Sequence, residues 1–595
     1  MMKPLASILL LLGAVLWATQ SWAILRELPL IGDPFKLSIN AEGASSKAMT
    51  DAVKSQRQSS AEYKAIESAE RAARFDRGIL ARWLESEGYF AHSISSSVRE
   101  NDITHKVIAG PRYIVEKVTV EMPSSFQPWN GPLEVSEGQP LRAEDVLASR
   151  KTINDYIENS SCLFRVKTDY HAEVNHRTHK AFIHFSGQDS PPTNFGDVEF
   201  TGGKGVDHRF LPNYLQFETG ECFKRSKIEE TRLSLLQSNL FARVNMQIAE
   251  PVDGRSNVTF DLTERGHRTL KAGISYDSDT ELGALIGWEH RNLFHKAEHL
   301  STELRHNRLL SEFRAELVRP HFRRKDQNLT LTSILSKETP DAYTYTSGEF
   351  SASLSRPLFQ HWSSNTGLAL EFSRDEEGDE VEDYALLSVP LSLSYNTVDK
   401  ALNPSRGWAF NVQLRPFNDL YDSDIQFTKA SVSFSTYLSV SKVRWQPTLA
   451  LRAALGSIRG ETLDIVPSKH RYYVGGGGSV RGYRYQTVGL LEDQDDRSNV
   501  PVGGQSFGES AAELRLRFNP QWGIVLFVDG GFAYPDKLPN FGQDFLWGYG
   551  LGVRYFTSFA PIRFDIAAPR ERRQDDNDKY IDDSFQLYIS IGQAF

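Results

Sequence analysis

From about His267 onward, apolar and polar residues alternate almost one for one until the chain ends. Leu270, Ala272, Ile274 and Tyr276 share one parity, with Lys271, Gly273 and Ser275 on the other. Leu300, Thr302 and Leu304 oppose Ser301, Glu303 and Arg305. Leu387, Val389, Leu391, Leu393 and Tyr395 oppose serines and Pro390, and Trp408, Phe410, Val412 and Leu414 oppose Asn411, Gln413 and Arg415. A period of two is the mark of a strand with unlike faces, and many such strands describe a barrel with lipid outside and water inside. A soluble sandwich carries the same alternation. No stretch after the first thirty residues approaches ~18 uninterrupted apolar residues, so no later helix is expected to span a membrane, and a closed barrel is the remaining way to satisfy a backbone in hydrocarbon. Residues 267–595 number 329. Sixteen strands of ~10 residues use about 21 residues each with their connections, and fourteen to eighteen stay in range.

The first residues fit that destination. Lys3 precedes LASILLLLGAVLWA, and Ser21-Trp22-Ala23 places small residues where a signal peptidase cuts, so residues 1–23 read as a secretory signal peptide. The apolar run is short for the ~20 residues of an anchor helix. A net charge of −9 offers nothing to nucleic acid. The two cysteines, Cys162 and Cys222, are either a staple between two domains or two separate buried thiols.

Between these ends lies an internal repeat. The segments 85–95, 158–168 and 236–246 each run from a helical approach through an aromatic pivot (Phe90, Phe164, Phe241) into an alternating strand, and the pivots stand 74 and 77 residues apart. Each unit opens with a strand (34–43, 111–121, 192–202), and the apolar spacing then turns helical, as in Ile228, Leu233, Leu235, Leu236 and Leu240. A strand-helix-helix-strand-strand unit of this kind resembles the POTRA domain, a periplasmic module that implies docking of extended clients at a sheet edge. The expected domains are 24–110, 111–190 and 191–266, followed by the barrel at 267–595.

Within the barrel, GGGGSVRGYRYQTVG (475–489) sets an arginine behind four glycines. Parity turns Glu513, Arg515 and Arg517 of AAELRLRF toward the lumen, and likewise Phe527, Asp529 and Gly531 of WGIVLFVDGG. A loop folded inward on its glycines would let Arg481 pair with Glu513, Asp529 or both as a latch. A solvated external arginine is the plain alternative. The chain closes on SFQLYISIGQAF, with Phe585, Leu587, Ile589, Ile591 and Phe595 in phase and Gly592 weakening the strand.

VRGY (480–483, with Val480, Gly482 and Tyr483), the F-x-D-x-G pattern of 527–531, and GYGLGVRY (548–555, with Gly550, Gly552 and Arg554) resemble the barrel motifs of the superfamily that assembles outer-membrane proteins. PIRFDIA (561–567) is similar to its penultimate strand. EHRNLF (289–294) is similar to its early hairpin, although His295 stands where the family has glycine. Three POTRA-like units ahead of such a barrel are similar to the TamA family. That resemblance implies an outer-membrane location, a lateral seam between first and last strands with Gly592 and the terminal Phe595 as its signal, and local thinning of outer-membrane lipid. It also implies a TamB-like inner-membrane-anchored partner and unfolded outer-membrane clients of the autotransporter type, with no cofactor, no metal and no enzymatic step. A secretion transporter that passes an unfolded exoprotein through the pore is the alternative.

Rival patterns are weaker. GQSFG (504–508) has the spelling of a hydrolase elbow, yet a loop precedes Ser506 and a barrel strand is expected after it. His171, His176, His179 and His184 cluster in sequence around a hairpin turn without a metal-binding pattern. The aspartates of 571–583 lack the glycine and final glutamate of a calcium loop.

Overall fold

The computed structural model describes residue 33 and residues 35–591, except 189, 402, 422–424, 441–444, 495–496, 542–544, 558–560 and 576–577. The signal peptide, Gly592 and Phe595 lie outside the described residues. The chain divides into two compact units, residues 1–198 with 217–228 and 248–258, and residues 199–216 with 229–247 and 259–595.

Three small sheets precede the barrel. In the first, Lys36–Glu42 lies parallel to Asp102–Ile108, which pairs antiparallel with Ser93–Arg99. The second repeats this order with Ile114–Glu121, Lys180–Gly187 and Thr168–Asn175, and the third with Asn194–Gly202, Arg255–Glu264 and Phe241–Ile248. Two full helices, Ser46–Ser59 and Ala69–Ser86, cover the first sheet and bury Met49, Val53, Leu80 and Leu84. The expected pair of helices is incomplete in the other two. The second keeps Ala143–Ser160 alone, because Pro123, Pro128, Pro132 and Pro140 interrupt the stretch where its first helix would run. The third keeps Arg225–Gln237, and Leu211–Tyr214 supplies one 3₁₀ turn in place of the other.

The aromatic pivots serve the junctions. Phe90 packs on the core of the second repeat, 5.2 Å from the Tyr113 ring, and Phe164 meets Phe223 of the third at 5.3 Å. Cys162 and Cys222 are disulfide-bonded beside that second junction, which resolves the choice the sequence left open.

The barrel is closed and antiparallel. Its seventeen segments make sixteen strands, since Glu380–Ser388 and Leu391–Asn396 are halves of one strand that share both neighbours. Pro390 lies between them and cannot donate to the ladder, yet the register on either side is unbroken. The apolar parity faces outward and is left uncovered, with Leu270, Ile274, Leu282, Ile286 and Leu551 all half exposed or more. His295, at the position of the family glycine, has φ +69°, the left-handed region that glycine occupies without strain. Its ring and the Asn292 amide both bond the Gly205 carbonyl at 2.7 Å.

Closure is uneven. The first strand, Arg268–Asp277, pairs with the second at all ten residues. Against the last strand, Gln586–Ile591, one pair joins it among the described residues, Asp277 with Ser590. No described helix is long and apolar enough to cross a membrane.

Candidate functional site

The segment between strands Thr448–Arg459 and Ser506–Arg517 folds back against the inner wall of the barrel. Arg481 is buried within it, 6 % exposed. Its Nε donates to Asp529 at 2.6 Å, its Nη2 to Asp529 at 3.0 Å and to Glu513 at 2.8 Å, and its Nη1 to Asp565 at 3.1 Å. The guanidinium lies over the Phe527 ring, 3.4 Å from its centroid. Parity made both expected carboxylates available, and the fork reaches a third. Three acids cluster around one fork, so the neighbouring cations carry part of the balance. Arg515 Nε donates to Glu513 at 2.9 Å, and Arg554 grips Asp565 with both terminal nitrogens. Bidentate, desolvated pairing of this kind fixes both position and orientation.

The flanking residues explain the motif spelling. Gly482 sits at φ +105°, and a side chain there would press on the Ala568–Pro569 backbone. Val480 packs with Val474, Tyr483 and Val488, and it fits because Gly531 is bare: a Cβ at Gly531 would stand 2.9 Å from Val480. The Tyr483 hydroxyl donates to the Trp547 carbonyl at 3.2 Å. On strand Leu546–Phe556 the alternate glycines form a bare track. A Cβ at Gly548 would collide with the Arg481 carbonyl, one at Gly550 with Ile566 and the Phe527 ring, and one at Gly552 with the Asp565 carboxylate. The first three of the glycines on which the loop folds inward, 475–477, are held in place. Gly475 and Gly476 are buried with positive φ, Gly475 N–H donates to Ser479 at 2.9 Å, and Gly477 N–H to Asp279 at 2.7 Å. Close approach, rather than freedom, requires glycine there.

Two groups of contacts were not read from the sequence. Tyr588 of the last strand accepts from Gly482 N–H at 3.0 Å and donates to the Tyr483 carbonyl at 2.7 Å. Its inward parity beside Leu587 and Ile589 was available as a signal, as was that of Asp565. The second group holds the start of the same loop. Ser468 N–H donates to Asp375 at 2.7 Å, Lys469 pairs with Glu338 at 2.9 Å, and Arg471 Nη1 with Glu377 at 2.9 Å. The inward acids Glu371, Asp375 and Glu377 of one strand were the sign that a cationic segment would lie against them.

The rival patterns disperse. Ser506 opens a strand and donates to the Asp536 carbonyl at 2.8 Å, with no helix behind it. His176 bonds the Tyr113 hydroxyl and His184 the Thr119 hydroxyl, each on its own partner.

A family model described as the Omp85 superfamily domain matches residues 292–595, just over half of the chain. This chain belongs to the Omp85 superfamily. A POTRA model, described as a surface antigen variable number repeat, matches residues 193–265. The chain is similar to "Outer membrane protein assembly factor BamA" of Nitratidesulfovibrio vulgaris, 20% identical over 473 residues that cover 75% of this chain and 56% of that one. It is also similar to "Outer envelope protein 80, chloroplastic" of Arabidopsis thaliana, 25% identical over 360 residues, 53% of this chain and 45% of that one. The Omp85 chain thus spans about half the length of these relatives. Among solved structures, BamA from Haemophilus ducreyi lacking POTRA domains 1-3 superposes with a TM-score of 0.65 at 17% identity, covering 80% of this chain and all of that one, which supports the shared fold. As an Omp85 protein it is a non-enzymatic outer-membrane barrel with periplasmic POTRA domains.

Proposed function

We propose that this Omp85 protein is an assembly factor that inserts β-barrel clients into the outer membrane by pairing their strands at its seam. The Omp85 family match carries the reading, and the Asp277–Ser590 pair marks where the first strand meets the last. Asp277 and Ser590 bring the first and last strands together, and a strand edge that opens at such a join offers its backbone groups as a template for another strand. A client strand that pairs there meets hydrocarbon with its N–H and C=O groups already satisfied, and each unsatisfied group would cost several kcal/mol. The Arg481 cluster holds the loop to the strands just before the seam. Three small sheets ahead of sixteen strands support a protein of the TamA type, with a TamB-like periplasmic partner and autotransporter clients.

The test is a lock across the seam. Asp277→Cys with Ser590→Cys places two thiols at directly paired positions. Oxidised, the protein should fail to insert an autotransporter barrel in proteoliposomes, and reduction should restore insertion. Full activity with the seam locked rejects strand pairing there. Loss of a secreted soluble partner in cells, with membrane-embedded clients intact, points instead to the transporter reading.

A further inference from the structure

Two turns of the barrel place a histidine in left-handed backbone. The chain enters the barrel at Arg268 and returns to that periplasmic side after strands Glu281–His290 and Leu310–Arg319. In the turn after the first, His295 has φ +69°, and in the turn after the second, His321 has φ +52°. Such a backbone strains any residue with a Cβ, and it persists where the surroundings over-determine it. Both histidines meet the same neighbour, residues 205–215 of the third repeat, which belong to the same compact unit as the barrel. The first turn is braced from within. Its Asn292 and Glu298 are buried; Asn292 accepts from the Ala297 N–H at 3.0 Å, and Glu298 from those of Phe294 and Lys296 at 3.3 and 2.9 Å. So held, His295 grips the repeat twice. Its Nδ1 donates to the Gly205 carbonyl at 2.7 Å, and its own carbonyl accepts from the Asp207 N–H at 2.7 Å. Glu264 takes the Gly205 N–H at 2.7 Å. The second turn adds rings. His321 rests 5.7 Å from the Phe210 ring and 4.8 Å from the Tyr214 ring, and the Asp326 N–H donates to its Nδ1 at 3.2 Å. Beside it, Lys325 donates to the Leu215 carbonyl.

We propose that His295 and His321 are positioning residues, a two-point clasp that fixes residues 203–216 of the third repeat against the periplasmic rim of the barrel. Glycine would serve the backbone at 295 without strain, and it is what the related hairpin carries there. A histidine in that place adds one thing that glycine lacks, a ring N–H aimed at the third repeat. The two turns act at opposite ends of the segment, His295 at Gly205 and Asp207, His321 at Phe210 and Tyr214. A segment held at both ends cannot pivot about either. The clasp is independent of strand pairing at the seam, and its failure would leave that function standing.

Hydrogen–deuterium exchange on the full chain in detergent micelles tests the clasp. His295→Gly keeps the left-handed backbone, relieves its strain and deletes the ring bond. A histidine that served only its own turn would leave exchange in 203–216 unchanged or slower in this variant. The clasp predicts the opposite sign, exchange about fivefold faster across Gly205–Phe210, as befits one lost hydrogen bond, with strands Arg268–Asp277 and Glu281–His290 unchanged. His321→Gly removes the second point in the same way and should speed exchange across Phe210–Gln216. The double variant should exceed either single over the whole segment. Heat-modifiable gel migration reports whether each barrel is folded, and should one variant fail to fold, the other decides. Unchanged exchange in 203–216 in a folded variant, or a rise shared equally by the barrel strands, overturns the proposal.

Discussion

Against the second strand, the first strand of this barrel is paired at every residue from Arg268 to Asp277; against the last strand, one described pair joins it. The contrast widens toward the interior. The strands just before the seam, from Ser506 to Ile591, hold an arginine by three carboxylates, an aromatic face and a tyrosine bridge. The first strand offers the loop one nearby contact, from Gly477 N–H to Asp279 in its hairpin. The loop is therefore anchored far more heavily on the strands just before the join than on the first strand. Strand pairing alone would treat all sixteen strands alike, so the asymmetry comes from what the loop is tied to.

The strongest way to break this comparison is to release the Arg481 anchor. Arg481→Ala leaves Asp529, Glu513 and Asp565 crowded together and short of one cation, and it should cost about 3–5 kcal/mol, read as a lowered midpoint of heat-modifiable migration. Arg481→Lys should recover only part, because a point charge cannot serve three carboxylates in fork geometry. In a cycle with Asp529→Asn, the double variant should be no worse than the more damaging single; fully additive losses would deny the pairing.

A smaller loss is expected from Gly548→Ala, whose methyl group would strike the Arg481 carbonyl. Overpacking of that kind costs about 1–3 kcal/mol, and protease cleavage within 475–489 should rise with it. Wild-type resistance in the variant would mean that the loop does not rest on this track.

The first-strand side is probed by acidity. Burial pushes Asp279 up to about 6, the nearby Asp277 charge adds to that, and the Gly477 N–H and Arg308 oppose it. The unfolded carboxyl titrates near about 4, so the folded state holds the proton more tightly. Stability from this group is therefore greatest in acid and declines as pH rises from about 4 through 6. The wild-type midpoint should fall between pH 5 and 7 by an increment that Asp279→Asn removes. An identical pH slope in the variant would place the dependence elsewhere.

Smallest of all should be Ser506→Ala. It removes one buried hydroxyl bond to Asp536, worth about 1 kcal/mol, and should leave client insertion unchanged. A lost activity would revive the hydrolase reading.

How far these features could be read beforehand follows from their periodicity. Parity is local, so alternation sufficed for the outward face and for Phe527, Asp529 and Gly531. The same rule applied to Asp565 and Tyr588 would have enlarged the cluster, but which inward residues converge depends on the barrel's curvature, which no single strand encodes. Ser468–Arg471 was missed because a loop has no period. The helices of the second and third repeats were over-read, since the shared repeat length masked the prolines between Pro123 and Pro140. The cysteine pair could not be settled by spacing, because the approach of Cys162 to Cys222 depends on how Phe164 meets Phe223.

The glycine track at 548, 550 and 552 carries a consequence for how the molecule comes into being. A ribbon without side chains on its inner surface has little of its own to define its path, and it surrenders more backbone entropy on ordering than its neighbours do. The Arg481 backbone, the Phe527 ring and the Asp565 carboxylate occupy the room those missing side chains leave. The loop thus supplies part of the lining that this strand lacks, and a barrel whose loop lay outside would keep that stave without its inner support.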